Sequence, residues 1–197
     1  PPGFNFAAFA TPGQVNALIL GVSQDTRNDP QTPISGEHIT LGGEFALLAL
    51  GGTFQFQKYD FDYAHFFPLG GDSTIVGHAH LGYSAVPLPL QEQYYLGGQS
   101  TLRGYPTGFL RGDDVVLGQV EYRFPLSWLP FMQSFTGITT VLFIDAGDAE
   151  PAGTSTFNLQ PDVGIGIQVK TPVGPFRIDY GISGFGQQFW VSAGAQF

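Results

Sequence analysis

The sequence contains no cysteine. That absence removes disulfide frameworks, thiolate metal sites and cysteine nucleophiles together. Charge is the second shortage, at 12% of residues, where about 25% is usual for a soluble domain. Hydrophobic residues still make up 43%, so much of the surface is expected to face something other than water. There are 7 basic residues against 16 acidic ones, for a formal net charge of −9. Without a Lys/Arg cluster to neutralise phosphates, nucleic acid is a poor candidate partner. The same shortage argues against a peripheral helix on anionic lipid. Long apolar runs are also missing. A membrane helix needs about 18 or more apolar residues in succession, and the best runs, Ala17–Val22 and Phe45–Leu50, fall far short. A helical membrane protein is excluded; a barrel is not.

Strand signals fill the chain instead. Apolar runs bounded by Gly, Pro, Asn and Asp predict strands near 14–25, 36–49, 53–67, 73–85, 113–125, 136–147, 158–171, 174–184 and 188–197. Phe4–Ala10 is a candidate tenth. Most connections are short enough for antiparallel neighbours. Residues 86–112 are different, forming one long loop without predicted secondary structure, and such loops are usually functional.

Alternation along the strands carries the most information. Val163, Ile165, Ile167 and Val169 oppose Asp162, Gly164, Gly166, Gln168 and Lys170. Phe176, Ile178, Tyr180 and Ile182 oppose Arg177, Asp179 and Gly181, while Val116, Val120, Tyr122 and Phe124 oppose Gln119, Glu121 and Arg123. A soluble sandwich or lipocalin-like barrel would turn the apolar faces inward; a membrane barrel turns them to lipid and keeps the lumen polar. The polar faces hold mainly Gly, Gln, Ser, His and isolated ions, not the Lys, Glu and Thr of a water-facing strand. Aromatics gather near strand ends (Tyr59, Phe61, Tyr63, Phe66, Phe67, Tyr122, Phe124, Phe189, Phe197), as a girdle requires. The predicted fold is an all-β, transmembrane antiparallel β-barrel of the outer-membrane type.

Within the long loop, Gly97-Gly98 is followed by Leu102-Arg103-Gly104-Tyr105. This resembles the signature of the outer-membrane assembly superfamily of BamA, TamA, the two-partner secretion transporters and the Toc channel. Asp25-Thr26-Arg27, Glu121-Tyr122-Arg123-Phe124-Pro125, Phe143-Ile144-Asp145-Ala146-Gly147 and Gly174–Gly181 resemble further family segments in the family's order. The resemblance implies a sixteen-stranded barrel preceded by soluble POTRA domains. Nine or ten strands and no POTRA domain are visible here. The chain therefore reads as the C-terminal part of a longer barrel protein, with a complete, reduced barrel as the alternative.

The resemblance also implies that the loop folds back into the barrel, where Arg103, beside Gly104 and Tyr105, meets Glu121 and Asp145. Glu121 lies on a polar strand face, whereas Asp145 shares its face with Val141 and Phe143. An active role for this cluster and a purely loop-locking one both remain open. The last strand, with Phe189, Val191 and a terminal Phe197, resembles the signal by which barrel proteins are recognised for assembly; plain lipid-facing packing accounts for the same residues. The implied function is an outer-membrane protein assembly factor that folds and inserts β-barrel proteins. Alternatives are a polypeptide-transporting barrel of the same superfamily and a reduced passive channel or structural barrel. Implied partners are membrane lipids, unfolded outer-membrane proteins, and accessory lipoproteins or periplasmic chaperones. The implied location is the bacterial outer membrane, with the plastid outer envelope as the alternative.

No cofactor and no enzymatic activity are expected. His78 and His80 share a strand face without a further ligand. Asp60, Asp62 and Asp72 lack the spacing of a calcium loop, and Gly97-Gly98 precedes no helix that would cradle a phosphate.

Overall fold

A computed structural model describes residues 13–134, 137–154, 156–172 and 174–194. Phe4–Ala10 and Phe197 lie outside the described residues. Nine strands form one antiparallel sheet: β1 (Ala17–Asp25), β2 (Gly36–Ala46), β3 (Phe56–Gly70), β4 (Ser73–Ser84), β7 (Asp114–Pro125), β8 (Ile138–Glu150), β9 (Gln160–Thr171), β10 (Gly174–Ser183) and β11 (Gln187–Ala193). They are ordered as in the chain, from β1 at one edge to β11 at the other. Among the described residues there is no α-helix. The loop predicted as irregular carries a ladder of its own, β5 (Tyr94–Leu96) paired with β6 (Leu110–Gly112). Three-residue strands give too short an alternation to be read from sequence.

The sheet is a part of a barrel wall. On its outer face Ile165, Ile167, Ile178, Ile182, Phe189 and Val191 are 42–64% exposed. So continuous an apolar face would drive a water-soluble protein to aggregate, but it is what a lipid-facing wall requires. The inner face is the reverse, with Gln119, Glu121, Asp145, Arg177 and Asp179 all buried. β3, β4, β7, β8 and β9 have 12–15 residues, enough to cross a bilayer, for which about 9–11 tilted residues suffice.

The inner wall is layered, not uniformly polar. Towards the loop end, Val115 and Leu117 meet Leu88, Leu96, Leu102 and Tyr105 of the long loop in an apolar cluster. Towards the opposite, turn end, Ala64, Phe66 and Val76 form a second cluster. Phe66 is therefore not a girdle residue. Its ring is buried on the inner face, with the Arg123 guanidinium 5.7 Å from the ring centroid. An alternation rule that equates apolar with outward fails at such a position.

At the turn end, β3 and β4 are joined by Gly71-Asp72, both at positive φ, the left-handed pair that suits a two-residue hairpin. The β1–β2 connection is longer and folds across the lumen. Thr74 Oγ1 on β4 donates to Ile34 O (3.2 Å), and Lys170 Nζ on β9 reaches Asp29 Oδ2 (2.6 Å) and Thr32 Oγ1 (2.9 Å). The Lys170 ammonium, then the Gln31 backbone N–H and the Thr32 hydroxyl, hold the Asp29 carboxyl well below the usual carboxylate range. A depressed folded-state pKa means that the latch contributes fully above the ordinary Asp value of about 3.9 and is lost as pH falls through the lowered value. We expect a carbon-13 titration of the Asp29 carboxyl to show a midpoint clearly below the ordinary value. In Lys170→Gln that midpoint should move back up; an unmoved midpoint would mean that the latch does not form.

Candidate functional site

The chain's densest chemistry lies where the long loop meets the inner wall. Gly97 and Gly98, at φ +105° and +115°, start a turn that only glycine enters without strain. The turn is built, not slack. Gly98 N–H donates to Leu102 O and Tyr105 O (both 3.2 Å), and Gly97 N–H donates to Thr101 Oγ1 (2.9 Å). This delivers Leu102-Arg103-Gly104-Tyr105 to the wall, each residue with a separate task. Leu102 enters the apolar cluster. Tyr105 lies against the Phe109 ring (4.5 Å between centroids) and donates to Pro161 O (3.2 Å). A Cβ on Gly104 would sit 2.6 Å from Asp162 Cβ and 2.9 Å from the Ile182 carbonyl carbon, so glycine alone permits the approach to β9 and β10.

Arg103 is fully buried. Its Nε donates to Asp145 Oδ2 (2.7 Å) and its Nη2 to Asp145 Oδ1 (2.5 Å), the two-pronged geometry for which guanidinium is suited. Its Nη1 donates to Glu121 Oε1, and Phe143 lies beneath it, 3.7 Å from the guanidinium carbon to the ring centroid. Asp145 thus points into the lumen together with Val141 and Phe143, all buried. These apolar neighbours floor the ionic cluster.

Glu121 is the hub. Besides Arg103 it accepts from Arg123 Nε at its Oε2 (2.7 Å) and from Arg177 Nη2 at its Oε1 (2.8 Å), while Arg177 Nε also donates to Asp179 (2.7 Å). Gln119 extends the network, its Nε2 donating to Thr101 O (2.7 Å) and Asp145 Oδ1 (3.1 Å). His78 then bridges Gln119 Oε1 and Asp62 Oδ2 (2.8 and 2.9 Å). His80 also turns towards Asp62, at 3.3 Å. Among the described residues no group of three or more His, Asp or Glu is arranged to hold a metal ion.

Sequence reasoning missed three contributors. Arg177 was visible as a polar-face residue, but nothing showed that β10 curls round to Glu121. Trp190, on β11, points inward and donates from Nε1 to Arg103 O (2.8 Å). Ser183 Oγ likewise donates to Gly104 O (2.8 Å). The loop is therefore tied to the β10–β11 hairpin as well as to β7 and β8. Of the sequence-predicted residues, Arg103, Gly104, Tyr105, Glu121 and Asp145 converge here. Phe189 and Val191 lie apart on the outer face of β11, 64% and 60% exposed.

A lipid-facing sheet whose lumen holds its own loop, rooted in a buried ion cluster, defines an outer-membrane β-barrel with an inward-folded loop. The chain belongs to the Omp85 superfamily, matching the Omp85 superfamily domain over residues 10–197. Among solved structures it is similar to BamA from Haemophilus ducreyi lacking POTRA domains 1–3, with a TM-score of 0.75 and 18% identity over 97% of this chain. It covers 46% of that structure, so it spans about half of it and corresponds to the C-terminal part of the barrel.

Removing one partner from a buried ion pair strands the others, at a cost of about 3–5 kcal/mol. We expect Arg103→Ala to lower the urea midpoint of the folded barrel accordingly, with Arg103→Lys falling between because it keeps charge but loses the fork. Gly181→Ala tests the seat without touching a charge. Its methyl would stand 2.5 Å from Arg103 O, so it should also destabilise; wild-type midpoints in both Ala variants would show that the loop is not held here.

Proposed function

We propose that the chain is the barrel portion of an outer-membrane protein assembly factor, which folds β-barrel proteins and inserts them into the bacterial outer membrane. The observation that supports this most is the tie between the ion-paired loop and the edge hairpin, through Trp190 and Ser183. Among the described residues β11 pairs on one side only, with β10. In a closed barrel this side of β11 meets the strand that completes the wall, and an extended segment adds to such an edge through backbone hydrogen bonds where that seam opens. In lipid each unpaired backbone group costs several kcal/mol, so strand capture is downhill without a nucleotide or any chemical catalysis. The chain is accordingly not an enzyme. Its substrates are unfolded outer-membrane proteins, its surroundings membrane lipids, and accessory lipoproteins and periplasmic chaperones deliver to it. The loop seated against the inner wall disfavours a passive channel.

The test replaces the native gene product by the full-length Arg103→Ala protein and follows other barrel proteins by heat-modifiable gel migration. A severalfold fall in their folded forms is the expected result. Normal barrel levels with loss of one exported partner polypeptide would overturn the assembly reading in favour of transport.

A further inference from the structure

The β7–β8 connection is unusual for a turn at the mouth of a barrel. From Leu126 to Ser134 it reads Leu-Ser-Trp-Leu-Pro-Phe-Met-Gln-Ser, without a charge. Its apolar side chains are not tucked in: Trp128 is 52% exposed, Leu129 39%, Met132 40% and Phe131 99%. The turn is nevertheless ordered by its own backbone, with Leu129 N–H donating to Leu126 O (3.0 Å) and Met132 N–H to Leu129 O (3.1 Å). Phe131 has φ +69°, in the left-handed region that a bulky residue enters only under strain. Backbone strain is thus used to hold an aromatic ring away from the protein, an expense without return in water.

The surroundings identify what receives the ring. Tyr122 stacks on Phe124 (5.0 Å between centroids), and Phe124 is followed by Trp128 (6.5 Å). This aromatic column runs down the outer face of β7 and off its end into the connection. The lipid-facing surface therefore continues into the turn without interruption. The neighbouring β3–β4 hairpin adds exposed Phe67 and Leu69. A Cβ on Gly71 at its tip would lie 2.8 Å from the Trp128 ring, so glycine there lets the two turns pack as one platform. Trp at such a position is typical of the membrane interface. A protein partner would ordinarily be met by a polar rim around the apolar centre; Leu126–Ser134 has no charged residue, and Asp72 is the single charge at the β3–β4 tip beside it.

We propose that the β7–β8 connection, with Trp128, Leu129, Phe131 and Met132, is an apolar foot that inserts into the headgroup–acyl boundary of the bilayer leaflet at the turn end of the barrel. Lacking Lys and Arg, it uses apolar burial and not attraction to anionic headgroups, so zwitterionic phospholipid suffices. The inference needs only a lipid-facing wall and does not rest on the assembly reading.

Because the chain has no cysteine, Phe131→Cys or Met132→Cys gives the one thiol in this region for an environment-sensitive NBD fluorophore, any cysteine elsewhere in the full-length protein being replaced by serine. Gln31→Cys, in the β1–β2 connection at the same end, is the control. The full-length protein is reconstituted in phosphatidylcholine vesicles, with a phospholipid carrying a nitroxide high on its acyl chain or with aqueous iodide as quencher. At positions 131 and 132 the label should emit to the blue, be quenched by the nitroxide lipid and be shielded from iodide, independent of salt. At position 31 the pattern should reverse. Iodide quenching at 131 and 132 equal to that at 31 would place the foot in water and overturn the proposal. Shielding from both quenchers would overturn it equally, since protein would then cover the surface.

Discussion

One carboxylate fixes the geometry of the lumen. Glu121 accepts hydrogen bonds from Arg103 on the loop, Arg123 on its own strand and Arg177 on β10. These are three of the chain's seven basic residues, so a sequence poor in positive charge places nearly half of it around a single buried anion. Burying ions is costly, and well-packed apolar side chains would often stabilise as much. What the ions add is direction. An apolar loop could slide along an apolar wall, whereas a forked guanidinium meets Asp145 and Glu121 in one place only.

The layering of the inner wall follows from that constraint. The ion cluster has to be kept from bulk water, and apolar layers lie on both sides of it, one built with the loop residues Leu96 and Leu102 and one from Ala64, Phe66 and Val76. The loop must also come close enough for the guanidinium to reach. Gly104 and Gly181 make that approach by leaving out side chains on both partners. Lumen polarity, loop position and the placement of these glycines are thus one solution to one packing problem.

Much of this was legible in the sequence where the environment is uniform. The outer face of β9 and β10 meets only lipid, so Val163 to Val169 and Phe176 to Ile182 alternate cleanly and give strand, face and fold class together. The inner face meets loop, ions and water in turn, and alternation there loses its meaning. Phe66 and Asp145 sit on that face, and neither could be placed from period alone. Resemblance located Arg103, Glu121 and Asp145, whereas Arg177 and Trp190 needed the curl of the sheet to become neighbours of the loop. The Lys170–Asp29 contact had no signal at all, because two surface ions far apart in sequence look the same paired or unpaired.

The strengths of the contacts rank the ways in which the loop and the wall can separate. Among the described residues the edge hairpin holds the loop through neutral hydrogen bonds, from Trp190 to Arg103 O and from Ser183 to Gly104 O, a type worth about 0.5–1.5 kcal/mol net each. The loop holds β7 and β8 through buried ion pairs, in which stranding one charge without its partner costs about 3–5 kcal/mol. A load on the edge therefore breaks these neutral contacts first and leaves Arg103 on Glu121 and Asp145. On that ranking β11 separates from the loop at lower cost than the loop separates from β7 and β8.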